Sequence, residues 1–297
     1  MNAHWVGQRV AKVDLGQLES TVNKLTKEKR RVSDLKWGPN AQFCYPSSTK
    51  GVGDMWAKVC ALQPREWFLF GETVVDVDAE NKEVVSYNTL TERRSIHKYD
   101  ILISTMPITV LGRISRLLPE LRLVHTKVAL VGFGLKKPLT DFGKDMSWVY
   151  YPSEDVVFYR CASLSNYNEE MTPDPRKFWS VLCEIGMKPN DLVDKEGLIE
   201  RCTEGLISRE VIHSKEQIVD TFFALLPYGY PVPTVDRDAE LEKAHAILEP
   251  NHIYSRGRFG GWKYEVSNQD HSFFQGYELI NRLLLGEKET IYHEGPW

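Results

Sequence analysis

Short runs of apolar and β-branched residues, bounded by Asn, Asp and Pro, fill the middle of the chain. Residues 72–78 (ETVVDVD), 82–87 (KEVVSY) and 99–107 (YDILISTMP) predict strands, with a polar turn region between the second and third. Further strands are predicted over 127–135, 148–151, 156–162, 179–185 and 217–224. Leu192, Leu198, Cys202 and Leu206 recur at near-helical spacing and predict a helix over 191–208, with another over 236–248. Strands and helices do not alternate regularly. The predicted fold class is therefore α/β of the mixed α+β kind rather than a series of βαβ units.

The two ends read differently. Residues 17–36 are polar and charge-rich with no sustained apolar face, which predicts a solvated helix or loop. WGPN (37–40) signals a turn, 41–45 a short strand, and PSSTKGVGD a loop leading to a helix with Asp54 as N-cap that runs to Pro64. Near the C-terminus a strand from Ile253 passes through Gly257, Gly260 and Gly261 into a helix starting at Ser267 or Asn268. Ser267 and Asp270 approximate a capping box, Phe273, Phe274, Tyr277, Ile280 and Leu284 form one apolar face, and Gly286 ends the helix.

Composition narrows the function classes. With 297 residues, 42% hydrophobic and 26% charged, the chain can bury a substantial core, and its length suggests about two domains. Its 37 Lys and Arg against 41 Asp and Glu give a net charge of −4, with no basic field for a nucleic-acid backbone. Five widely spaced cysteines without a C-x-x-C pair argue against a zinc ribbon or disulfide framework, and the eight histidines form no metal-binding pair. Residues 1–16 lack an apolar signal region and no apolar run is long enough to span a bilayer, so a soluble, cytoplasmic protein is expected.

Two G-x-G stretches, Gly51–Gly53 and Gly132–Gly134, lack the third glycine of a dinucleotide fingerprint, and Pro138 argues against a phosphate-binding helix after the second. Arg and Tyr concentrate beside Gly and Pro at Tyr159-Arg160, at Tyr228-Gly-Tyr230 and from Arg256 through Arg258 to Tyr264. Arginine suits bidentate capture of phosphate oxygens and tyrosine brings a hydroxyl on a rigid body, which points to a phosphorylated substrate. Aromatic packing with surface arginines is the alternative. The helix start at Asn268-Gln269-Asp270 offers free N–H groups after a Gly-rich loop, where an anion is stabilised.

Taken together, these segments resemble the UDP-galactopyranose mutases of the eukaryotic type, flavoenzymes related to the amine oxidase and protoporphyrinogen oxidase group. The resemblance is carried by WVGQRVA (5–11), WGPN (37–40), YDILISTMP (99–107), the stretch from Trp148 through YYPSED to Arg160 with SNY after it (165–167), YGYPVPT (228–234) and SRGRFGGWKYEVSNQDHSF (255–273). It implies a FAD-dependent oxidoreductase-like fold with a central antiparallel sheet domain. It also implies an isomerase of galactofuranose biosynthesis that interconverts UDP-galactopyranose and UDP-galactofuranose. Reduced FAD is the implied cofactor, its N5 forming an adduct with the sugar as UDP leaves, and NADPH the implied reductant. A UDP-sugar is the implied partner; homo-oligomerisation is left open.

By the same resemblance, Arg9 and Arg160 are similar to the family's two pyrophosphate arginines, and Tyr150, Tyr230 and Tyr264 to hydroxyls that contact phosphate or sugar. Asn40 matches a position near galactose and flavin, and Arg258 an arginine near both. Ser267, Asn268, Gln269 and Ser272 match the helix start that meets the flavin, and Val74 a backbone contact to adenine. Nothing in the chain matches the family's opening strand with G-x-G-x-x-G, its flavin-side histidine or its uridine-holding residues, so an N-terminally truncated form is expected. The implied division is 1–39 as the end of a helical domain, 40–75 and 249–297 as parts of a FAD-binding domain, and 76–248 as the substrate domain. PSSTKGVGD stands where the family has a more Gly-rich loop. Two alternatives stay open: a non-catalytic fragment or isoform that binds a nucleotide sugar or a partner, and an amine oxidase-like oxidase, against which the Arg and Tyr constellation argues.

Overall fold

In a computed structural model of the protein, the described residues are 45–47 and 49–293, with isolated exposed helical positions at Gly16, Glu19, Ser20, Asn23 and Lys27. Arg9, Asn40 and the strand expected over 41–45, apart from its last residue, lie outside them. Helix α1 (Val52–Ala61) takes Gly51 as its N-cap, three residues before the expected Asp54. Gly51, at φ 116°, turns the chain upstream, and Asp54 sits in the first turn, where its carboxylate accepts from Lys50 N (3.2 Å) and pairs with Lys58 (3.1 Å).

Strands β1 (Glu72–Asp78), β2 (Glu83–Asn88) and β3 (Arg93–Lys98) form an antiparallel meander. The first two fall where the pattern predicts, but β3 corrects the expected polar turn: RRSIHK is held by its ladder to β2 and not by burial. Of YDILISTMP only β4 (Leu102–Ser104) is strand, and beyond Pro107 the chain enters α2 (Ile108–Ile114), which buries Ile108 and Leu111.

The central sheet is built from β5 (Lys127–Lys136), β6 (Trp148–Tyr150), β7 (Arg160–Ser163), β8 (Phe178–Met187) and β9 (Ile218–Leu226), all antiparallel in the order β6-β7-β8-β5-β9. Short helices α3 (Asp141–Asp145) and α4 (Leu164–Tyr167) link them, and α5 (Lys195–Ser208), capped by Asp194, packs on one face. On that face Val131, Phe133, Leu135, Trp179, Val181, Cys183 and Ile185 meet Leu198, Cys202 and Leu206 of α5. Each Val, Leu, Ile and Phe among them contributes roughly 1.5–3 kcal/mol by burial. Strand β7 starts four residues later than expected because Val156 and Phe158 pack from a loop against Gly205 of α5. Gly132 and Gly134 lie inside β5, paired with Leu182 and Ser180 of β8, which excludes a phosphate-binding turn there.

A second core joins Val77, Ile108 and Leu111 to Leu241, Ala244 and Leu248 of α6 (Arg237–Leu248), Ile253 of β10 (Ile253–Ser255) and Trp262. Strand β10 pairs in parallel with β4. The last helix, α7 (Gln269–Leu285), ends at Gly286 in the left-handed conformation (φ 72°). Its start departs from a capping box: Ser267 Oγ donates to Tyr264 O (2.9 Å), and Asn268 is the N-cap without a side-chain capping bond. Its apolar residues Phe273, Phe274, Tyr277, Ile280 and Leu284 are exposed, while Gln275 and Leu279 are buried. Among the described residues no helix is long and apolar enough to cross a membrane.

Candidate functional site

Alternation along the central strands separates two faces, and the face away from α5 carries the polar chemistry. One row across it reads Tyr150 on β6, Arg160 on β7, Glu184 on β8 and Leu130 on β5, each the register partner of the next. Glu184 is 8% exposed. It accepts from Arg160 Nε (2.7 Å) and Nη2 (2.5 Å) and from the Tyr159 hydroxyl (2.6 Å). Arg160 Nη1 in turn donates to the Tyr150 hydroxyl (3.3 Å). Burial works against the Arg160 charge, but Glu184 outweighs it and holds the guanidinium protonated. Burial, then the hydrogen bond to Glu184, pushes the Tyr159 phenol far up. Tyr167, stacked on Tyr45 with ring centroids 5.4 Å apart, is pushed up to about 12 by burial.

A bridge of aromatic residues leads from this row to the start of α7. Tyr230, near enough to Tyr159 to help raise its phenol, stacks at a tilt on Tyr264 (5.7 Å) and lies under the Arg258 guanidinium (5.0 Å). Arg258 then lines a cavity of about 460 Å³ with Ser267, Gln269, Ser272, Trp56 and Phe273, within the size range of small-ligand clefts.

The loop that delivers Arg258 is fixed from both ends by Gln275, whose Oε1 accepts from Gly257 N (2.8 Å) and whose Nε2 donates to Val266 O (2.7 Å). Gly257 takes φ 87°, and at Gly260 a β-carbon would lie 2.1 Å from the Arg256 carbonyl oxygen, so only glycine permits the turn. Arg256 itself is not a ligand residue. It is 2% exposed, paired with Glu289 through Nε (2.5 Å) and Nη2 (2.7 Å), and it faces the Tyr292 ring at 4.6 Å.

The structure thus brings Tyr150 and Arg160 together, connects them through Tyr230 and Tyr264 to Arg258, and gathers Arg258, Ser267, Gln269 and Ser272 around one cavity. Asn268 caps the helix beside that cavity without lining it. Val74 lies in β1, packed against the second core and outside the cavity lining. Sequence reasoning missed Glu184, Gln275 and Trp56, and it assigned Phe273 only to the apolar face of the helix. For Glu184 a signal existed: the one charged residue in a strand whose other members, Ser180 apart, are apolar or glycine. Among the described residues no group of three or more His, Cys, Asp or Glu gathers to hold a metal.

No family model matches the sequence. A crystal structure of reduced UDP-galactopyranose mutase superposes with a TM-score of 0.87 over 99% of this chain, at 32% sequence identity. The chain is mutase-like. It spans 62% of the length of that mutase. A putative protoporphyrinogen oxidase from Exiguobacterium sp. 255-15 matches 84% of this chain and 56% of its own, with a TM-score of 0.54 and 13% identity, a likeness of fold alone. The mixed architecture with antiparallel sheets is the one these flavoprotein-type folds share.

Proposed function

We propose that the described residues form the substrate- and flavin-facing part of a UDP-galactopyranose mutase, an isomerase that interconverts UDP-galactopyranose and UDP-galactofuranose in the cytoplasm. The observation that carries this reading is the continuous polar row from Arg160 to the α7 cavity, on a chain that follows a mutase over nearly all its length.

FAD is tested by what the site offers it. Ser104 and Ser255, register partners at the carboxyl ends of the parallel strands β4 and β10, have buried hydroxyls with no hydrogen-bond partner in the fold. A crevice at the carboxyl ends of parallel strands is where such folds take ligands. Unpartnered hydroxyls at these strand ends, and separately the polar lining of the cavity at the α7 start, suit the polar groups of a flavin cofactor. Arg258, Ser267, Gln269 and Ser272 would hold it, with Asn268 at the helix start and Val74 offered to adenine. Bound in reduced form, with NADPH as reductant, FAD would supply a nucleophile for the anomeric carbon. Arg160 would grip the diphosphate of the UDP-sugar and keep it close after the glycosidic bond opens. Tyr150, Tyr230 and Tyr264 would orient phosphate or sugar hydroxyls, and Trp56 and Phe273 would exclude water. The positive end of α7 would favour negative charge that develops beside it.

Titration calorimetry with UDP tests the substrate side. Arg160→Ala should weaken UDP at least about tenfold, the value of one lost charge-assisted contact; equal affinity in both proteins would remove the diphosphate assignment.

A further inference from the structure

We infer that Glu184 is a positioning residue that fixes Arg160 in a ligand-ready orientation, with Tyr159 bracing the same carboxylate, an inference that rests on the diphosphate reading of Arg160. A carboxylate beside an anion-binding arginine weakens the attraction for phosphate, so charge alone does not explain its place. Orientation does. Arg160 and Glu184 are register partners, and the Glu184 carbonyl also accepts from Tyr159 N (3.0 Å), so the ladder sets both donors against one carboxylate.

Tyr159 precedes β7, and its ring lies over Gly186, where a β-carbon would sit 3.7 Å from it. Two consecutive side chains therefore reach the same carboxylate, Tyr159 to Oε2 and Arg160 to Oε1. Both Glu184 oxygens are engaged, as are the Nε and one Nη2 hydrogen of Arg160. The Nη1 edge stays turned toward Tyr150, with further N–H donors left for a ligand. A long guanidinium side chain 27% exposed would otherwise sample several rotamers, and locking it beforehand lowers the entropy lost on binding.

The test compares Glu184→Gln with Glu184→Asp in the full chain by UDP titration, with uridine as the probe lacking phosphate. Gln keeps an acceptor oxygen at the same reach and removes the charge, whereas Asp keeps the charge and withdraws it by one methylene. Positioning predicts UDP affinity within about threefold of wild type for Gln and a loss of about tenfold for Asp, with uridine binding unchanged. Tighter UDP binding in Gln with a wild-type value in Asp would overturn the inference in favour of a plain charge effect. A second readout needs no ligand. The Arg160 Nε–H resonance, assigned by its absence in Arg160→Lys, should stay protected in wild type and Gln and broaden in Asp; protection in Asp would also overturn the inference. If Arg160→Ala leaves UDP affinity intact while this resonance behaves as expected, the diphosphate reading fails and the positioning role stands.

Discussion

Replacing Glu289 by alanine tests how the loop carrying Arg258 is anchored. The Glu289 side chain is wholly buried and accepts two bonds from Arg256 and one from Arg282 Nη1 (2.8 Å). Its loss leaves Arg256, 2% exposed, with the Ser255 carbonyl (2.8 Å), a long contact to Glu249 (3.4 Å) and the Tyr292 ring. Breaking a buried pair from one side typically costs about 3–5 kcal/mol. Glu249, already 2.6 Å from Arg282, can take over part of the positive charge, which places the expected loss near the lower end, about 3 kcal/mol. At about 2–4 °C per kcal/mol for a chain of this size, melting should fall by about 6–12 °C. Burial alone would raise the Glu289 carboxyl, but Arg256 and then Arg282 hold it below its ordinary 4.5. A depressed folded value means that the stabilisation is complete above about 4.5 and fades as pH falls through the folded value. Urea unfolding followed by circular dichroism at pH 7 and near pH 4 should therefore show a gap between wild type and Glu289→Ala that narrows in acid. A loss under about 1 kcal/mol at pH 7, the value of an exposed ion pair, would refute the reasoning.

Two further outcomes are expected. His245, pushed down to about 4 by burial and the Arg256 charge, should make stability fall as pH drops from the ordinary 6.5 toward 4, and His245→Gln should flatten that limb of the melting-versus-pH profile. Gly260→Ala, whose new methyl meets backbone rather than a movable side chain, should lower unfolding stability by at least about 2 kcal/mol and reduce the flavin retained after desalting; a wild-type melt would contradict the tight turn.

Much of the sheet was legible because burial on one face leaves a period of two. KVALVGFGLK and FWSVLCEIGM are β5 and β8 within a few residues of the predicted bounds, and β1 is matched throughout. Strand β3 was not legible, since RRSIHK is held by backbone pairing that leaves no apolar trace. The helix α2 hid behind Pro107 and a β-branched start, where tertiary contacts of Ile108 and Leu111 override propensity. At the site, the Arg, Tyr and Ser positions were named from motif resemblance, but Glu184 and Gln275 act through partners distant in sequence. Arg256 shows the opposite failure: the same Gly-rich loop holds a cavity arginine at 258 and a purely structural one at 256, and only burial tells them apart.

The two faces of the central sheet share one ladder, and this makes the site unusually sensitive to chain length within the strands. Inserting or deleting a single residue in β7 would exchange Arg160 with Cys161, turning a guanidinium into the core against α5 and a thiol out toward the polar face. Folding and the diphosphate recognition proposed for Arg160 would then fail in the same stroke. A change of length is tolerated better in the connections, and the turn between β8 and α5 can lengthen without moving any member of the row.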